Sequence, residues 1–143
     1  SIKSDETLAT IKFIIRDFDA SKLKEYEKFL KELAEKTVLH FPGSTMEFEV
    51  IEQYRNMKYI LDQHPMVEAN AVEALNRLGM KPINSAIRGG TDGARLSYIG
   101  LPTPNLFAGG HNFHGFLEYI AVQDMEAAVK MIVTLANVWE DKA

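Results

Sequence analysis

The amino-acid sequence predicts an α/β fold in which short strands alternate with helices. Some segments alternate apolar and polar residues with a period of two, which indicates strands, and others repeat apolar residues three and four positions apart, which indicates helices. The 143 residues are 46% hydrophobic and 25% charged, an ordinary globular composition. Strands that alternate with helices are typical of a layered α/β arrangement.

The first half of the chain predicts a strand, a helix and a second strand. Alternation over residues 7–16 and 46–51 predicts the two strands, and Asp19 or Ser21 can cap the helix between them. The inner side of that helix carries Leu23, Tyr26, Phe29, Leu30 and Leu33. Because two strands make only a marginal sheet, we expect this unit to have partner strands upstream of Ser1.

The second half predicts three helices and two short strands. Pro65 opens the first helix and Gly79 closes it, in the positions that these residues favour. A short helix is predicted from about Asp92 to Tyr98, and a final helix is predicted with Asp124 as its cap. The strands are predicted at 104–107 and 116–122, and a domain boundary is predicted within 59–65.

Composition excludes several classes of protein. The formal net charge is -4, and without a basic stripe this argues against nucleic acid and membrane surfaces as partners. The chain has no cysteine, so disulfides, thiolate metal sites and thiol nucleophiles are excluded. The longest apolar runs fall short of the roughly 20 residues that a membrane helix needs, and the first residues lack a signal-peptide pattern. We therefore expect a soluble protein.

A glycine-rich loop at residues 88–95 is the first candidate site. Gly89 and Gly90 let the backbone approach a ligand, and Thr91 can cap the helix that follows. Arg88 offers a fork of donors that suits a carboxylate or a phosphate. Asp92 can help to cap the helix or can orient an imidazole. The loop lacks the endings of nucleotide-binding motifs, and a tight connection without a ligand is the alternative interpretation.

A second glycine-bounded loop, residues 109–115, contains His111 and His114. Their imidazoles can bind a metal, act as acid and base, or simply form hydrogen bonds. Glu118 is predicted to make a local hydrogen bond rather than to act as a general base. Ser97 lacks the surroundings of a hydrolase nucleophile. The remaining histidines, His40 and His64, are predicted to cap elements or to face solvent.

These motifs resemble one known family. Residues 87–94, 100–102, 104–107 and 109–115 closely resemble the C-terminal part of the tripeptide aminopeptidases of the co-catalytic di-zinc exopeptidase family. The resemblance implies a catalytic domain with helices around a mainly parallel sheet, interrupted by a smaller α+β lid domain. Residues 1–61 would be the remaining strand-helix-strand part of the lid, and residues 62–143 the C-terminal part of the catalytic domain.

The family resemblance also implies roles for individual residues. His114 corresponds to one ligand of the two zinc ions, with Asp92 in a supporting position. Arg16 and Arg88 correspond to the pair that binds the substrate carboxylate, and Asn56, Gly89 and Gly90 to its surroundings. The resemblance places the remaining zinc ligands and the general base upstream, so that no catalytic residue is expected in this chain. Lys58 and Phe116-Leu117 depart from the family pattern.

The implied activity is release of the N-terminal residue of a tripeptide by water that zinc activates, in a cytoplasmic homodimer. The chain alone is expected to be inactive and to retain no zinc. Two alternatives stay open. One is a related di-zinc dipeptidase or deacylase, and the other is a non-catalytic module for binding or dimerisation.

Overall fold

The computed structural model of the chain describes residues 1–87 and 89–143. Within these ranges there are five helices and two antiparallel sheets of two strands each, so the predicted α/β class is confirmed. The chain divides into two compact units, Ser1–Asn56 and Met57–Ala143. The assignment of residues 1–61 to a lid and of residues 62–143 to a catalytic domain stays a prediction.

The first unit consists of a hairpin and one long helix. Strands β1 (Ile2–Ser4) and β2 (Ala9–Ile11) pair antiparallel. Helix α1 (Ala20–Val38) begins at Asp19, whose carboxylate accepts hydrogen bonds from the backbone and hydroxyl of Ser21. These bonds lower the pKa of Asp19, since they favour its charged form. The predicted helix and its Asp19 cap are confirmed.

The strands predicted in this unit are longer than the observed ones. Of residues 7–16 only 9–11 form a strand, and residues 46–51 belong to no sheet. Apart from residues 9–11, which pair with β1, these segments have no neighbouring strand in the described structure, and apolar side chains such as Ile14 and Ile51 stay largely exposed. Alternation of apolar and polar residues therefore indicates that a segment can form a strand, whereas a sheet forms only where a second strand is available.

The second unit is built mainly of helices. They are α2 (Lys58–Leu61), α3 (Pro65–Arg77), α4 (Asp92–Tyr98) and α5 (Val122–Glu140). Strands β3 (Gly110–His111) and β4 (Tyr119–Ile120) form its antiparallel sheet. The mainly parallel sheet that the resemblance implies is not seen in the described parts of the chain. None of the helices described is both long and apolar enough to cross a bilayer.

Helices α3 and α5 pack together and bury the core of this unit. Ala71 and Ala74 of α3 meet Met131 and Val138 of α5, with three partly buried leucines around them. The two alanines leave room for the long Met131 side chain, which is fully buried. Close packing of this kind makes the interface sensitive to lost volume.

Local capping signals set the ends of α3 as predicted. Pro65 is in the first turn, where its missing N–H costs nothing. At the other end Gly79 adopts a positive φ of 68°. Its N–H donates to Asn76, and the N–H of Met80 donates to Leu75, which satisfies two carbonyls of the last turn.

Three predictions about the later part of the chain are wrong in detail. The N-cap of α5 is Ala121, and Asp124 lies inside the first turn rather than at the cap. Residues 104–107 do not form a strand, and only Tyr119–Ile120 of the predicted strand 116–122 pairs in a sheet. Among the described residues, β3 offers a pairing partner only to Tyr119–Ile120.

An ionic network joins α3 to the end of α5. The Arg77 guanidinium lies 2.6 Å from Glu73 and 2.6 Å from Asp141, and the Lys142 ammonium also binds Glu73. The hydrogen bond from Lys142, followed by that from Arg77, lowers the pKa of Glu73. The ion pairs of Glu73 with Arg77 and Lys142 therefore stabilise the fold only while Glu73 is ionised.

We expect this network to weaken in acid. Because the pKa of Glu73 is lower in the folded state, its contribution is complete above the ordinary glutamate pKa and is lost as the pH falls through the folded value. Melting temperatures between about pH 3 and pH 6 should fall less steeply for Glu73→Gln than for the wild type. Glu126→Gln, at an exposed carboxylate of α5, should follow the wild-type curve. Identical slopes for all three proteins would contradict the prediction.

Candidate functional site

The glycine-rich loop leads into α4 as predicted. Thr91 is the N-cap, and its side-chain oxygen accepts a 3.4 Å hydrogen bond from the N–H of Ala94. Asp92 is the first helical residue and is exposed, so the cap is Thr91 and not Asp92. A Cβ at Gly89 would meet no atom within 4 Å. Arg88, the predicted carboxylate ligand, lies outside the described residues.

Helix α4 is held against the segment that follows it by contacts that the sequence analysis missed. A Cβ at Gly93 would lie 2.5 Å from the carbonyl oxygen of Thr103, so only glycine permits this approach. The buried Ser97 hydroxyl donates to the Gly93 carbonyl and accepts from the Thr103 N–H. Ser97 thus has a structural role, in agreement with its rejection as a nucleophile. In the sequence, the position of Gly93 inside a short predicted helix was the one sign of this close backbone contact.

The second loop joins β3 to β4 and carries His114 at an exposed position. Asn112 and His114 both adopt positive φ angles, 54° and 65°, which are uncommon for residues other than glycine. The backbone N–H of His114 donates a 3.0 Å hydrogen bond to the Glu118 carboxylate, which confirms the predicted local bond. The Asn112 amide donates to the carbonyl of Leu117. The loop therefore holds the backbone of His114 in a defined conformation.

His111 has different surroundings from His114. Its ring stacks on Tyr119 with centroids 4.8 Å apart, and its Nε2 lies 3.5 Å from Oδ2 of Asp124. A carboxylate beside a ring nitrogen can help to orient an imidazole. One ring nitrogen of His111 is therefore directed toward a partner within the fold.

Histidine and carboxylate side chains are the donors that the described residues offer to a metal. Structural zinc has four protein ligands and catalytic zinc usually has three. In the described ranges no group of three or more histidine, aspartate or glutamate residues could hold a metal. The exposed His114 imidazole fits the role of a single ligand. His40, with Nδ1 2.8 Å from the Lys36 carbonyl, and His64, before α3, lie at element ends.

The remaining predicted site residues belong to the first unit. Arg16 is exposed in the irregular segment between β2 and α1. Asn56 is partly buried, and its amide donates a 3.0 Å hydrogen bond to the carbonyl of Phe18. The structure thus brings Asn56 to the segment that carries Arg16. Gly89, Gly90, Asp92 and His114 all belong to the second unit.

Comparison with known proteins identifies relatives along almost all of the chain. No protein-family model matches. The chain is 44% identical over 130 residues to peptidase T of Caldanaerobacter subterraneus subsp. tengcongensis, which covers 91% of this chain and 32% of that protein. It is 42% identical over 142 residues to peptidase T of Clostridium botulinum strain Hall, which covers 99% of this chain and 35% of that protein. The chain thus spans about a third of the length of these relatives. Along nearly its whole length, this chain is therefore a homologue of the peptidase T proteins.

Proposed function

We propose that the chain is the C-terminal portion of a zinc-dependent tripeptide aminopeptidase and supplies one zinc ligand together with part of the substrate site. The observation that carries the proposal is the 42–44% identity to proteins named peptidase T. The exposed His114 on a loop of defined conformation supports it, because a shared metal site needs each donor held in place. In this proposal residues 1–61 belong to a lid and residues 62–143 to a catalytic domain with a mainly parallel sheet.

The chemistry is divided between this chain and the rest of the protein. Two bound zinc ions would lower the pKa of a bound water, which could then attack a peptide carbonyl. His114 would present an imidazole nitrogen to one of these ions. The general base and the other ligands would come from outside residues 1–143, so the chain alone would be inactive. A homodimer in the cytoplasm is part of the same proposal.

Substrate length would be read by an arginine pair. Arg16 and Arg88 each carry a planar, permanently charged guanidinium that can bind a carboxylate through two hydrogen bonds. The exposure of Arg16 leaves its side chain accessible to such a ligand. Asn56, Gly89 and Gly90 would surround the bound carboxylate, and Asp92 would support the metal-binding imidazole. The two arginines would thereby select peptides whose free C-terminus lies at a fixed distance from the cleaved bond.

Zinc content and peptide hydrolysis test the proposal directly. Under the same zinc supply, the intact protein should bind about two zinc ions and cleave tripeptides, and the 143-residue chain should do neither. Tripeptide amides should be poor substrates because they lack the carboxylate. Arg88→Ala in the intact protein should lose about 2 to 3 kcal/mol of transition-state binding on tripeptides and little on the amides.

Arg95→Ala is the matched control, since Arg95 is an exposed arginine of α4. It should leave both rates unchanged. Hydrolysis by the 143-residue chain alone would contradict the division of the site. Equal cleavage of peptides and amides would contradict the arginine clamp and would favour a related exopeptidase of different specificity.

A further inference from the structure

The acidic residue Asp124 contacts the hairpin that carries His114 in two places. A Cβ on Gly109 would lie 2.5 Å from the Cβ of Asp124, so the backbone of the hairpin lies directly on this residue. Gly109 has a φ of 83°, a conformation that favours glycine. The Asp124 carboxylate also lies 3.5 Å from Nε2 of His111. Asp124 is thus the point where the hairpin meets the first turn of α5.

His111 lies between Asp124 and the opposite strand of the hairpin. It pairs with Tyr119 across β3 and β4, and the two rings stack nearly parallel, at an angle of 14°. The carboxylate approaches the edge of the imidazole while Tyr119 covers its face. Because the side chains of His111 and Asp124 are about half exposed, this contact contributes little to stability. It places one edge of the His111 ring against the Asp124 carboxylate.

The loop beyond His111 has an uncommon backbone conformation. His114 follows three positions later, and the positive φ values of Asn112 and His114 persist only where the surroundings hold them. The Glu118 carboxylate holds the N–H of His114 from within the loop. Asp124 holds the base of the same loop through Gly109 and His111.

We propose that Asp124 is a positioning residue that fixes the loop of His114 on helix α5. What His114 binds rests on the proposed function, whereas the docking of the loop does not. Asp124→Ala removes the carboxylate but leaves the backbone contact with Gly109. Asp124→Asn keeps the size of the side chain and an acceptor oxygen, so it should retain much of the docking.

The test uses the intact protein and two readouts besides activity. Hydrogen exchange of the His114 amide reports loop opening, and competition with a chromophoric chelator gives the dissociation constant for zinc. Asp124→Ala should speed the exchange about tenfold and weaken zinc binding by about tenfold or more. Asp124→Asn should restore most of both values. Glu126→Ala, on the same helix with its carboxylate 3.9 Å from Lys130, should match the wild type.

Each outcome decides a separate point. Wild-type exchange and zinc affinity in Asp124→Ala would overturn the positioning role. A similar loss in Glu126→Ala, with faster exchange throughout α5, would also overturn it, because the effect would then be general destabilisation. Faster exchange confined to the hairpin supports docking even if His114→Ala keeps full zinc affinity. Full zinc affinity in His114→Ala would refute only the assignment of His114 as a metal ligand and not the docking of the loop.

Discussion

Replacing His114 by alanine in the intact protein is expected to abolish most zinc-dependent hydrolysis, with a loss of at least about 1000-fold, or about 4 kcal/mol of activation free energy. The proposed role makes this imidazole one of the few donors that hold a zinc ion, and a metal displaced from its position no longer activates the water. The effect should fall on kcat together with zinc content.

The backbone conformation of His114 calls for a second substitution. Its φ of 65° lies in the left-handed region, which asparagine tolerates better than alanine does. His114→Asn therefore removes the imidazole with less disturbance of the loop and should lose activity to a similar extent. His40→Ala serves as the control, because His40 is an exposed histidine just beyond α1 that contacts the last turn of this helix through the Lys36 carbonyl. Wild-type zinc content and rate in both His114 variants would refute the ligand assignment.

The second large effect is expected at Met131. Truncation to alanine should reduce the free energy of unfolding of the second unit by about 2 to 5 kcal/mol, because it removes a fully buried side chain and leaves a cavity. The side chains of Ala71 and Ala74 on the facing helix are too short to fill that cavity. Met131→Leu, which nearly conserves volume, should cost less than about 1.5 kcal/mol.

Chemical denaturation of the 143-residue chain measures this loss. Lys130→Ala is the neighbouring control on α5, since its ammonium is exposed and only 3.9 Å from Glu126 in a solvated pair. Its effect should stay within about 0.5 kcal/mol. If Met131→Ala proved as mild as the control, the interface between α3 and α5 would not be the stabilising core of the unit.

Four of the five helices described were predictable because their signals are local, whereas the four-residue helix α2 was not predicted. Asp19, Pro65, Thr91 and Gly79 mark helix ends through hydrogen bonds and dihedral preferences that span only a few residues. The predicted helix from Asp92 to Tyr98 agrees with α4 residue for residue. The cap of α5 was misplaced because Asp124 sits within the first turn, where an acidic residue is also favourable.

Strands were less predictable because a strand forms only where another segment pairs with it, and its own pattern does not show whether such a segment is present. Residues 46–51 alternate as a strand should, yet they form no ladder in the described structure. The same limitation applies to the site. The hydrogen bond between His114 and Glu118 spans four residues and was expected, whereas the contact between His111 and Asp124 spans thirteen and was not.

The sequence by itself determined four of the five helices described and the two glycine-rich loops, because capping and periodicity are properties of neighbouring residues. The similarity to peptidase T was also evident from the sequence alone, through the motifs of residues 87–115. Only the tertiary structure decided that Asp124 meets the hairpin rather than capping α5, and that Ser97 joins Gly93 to Thr103. Those contacts depend on the path of the backbone between distant segments. That path is set by the packing of the whole unit and not by any local preference.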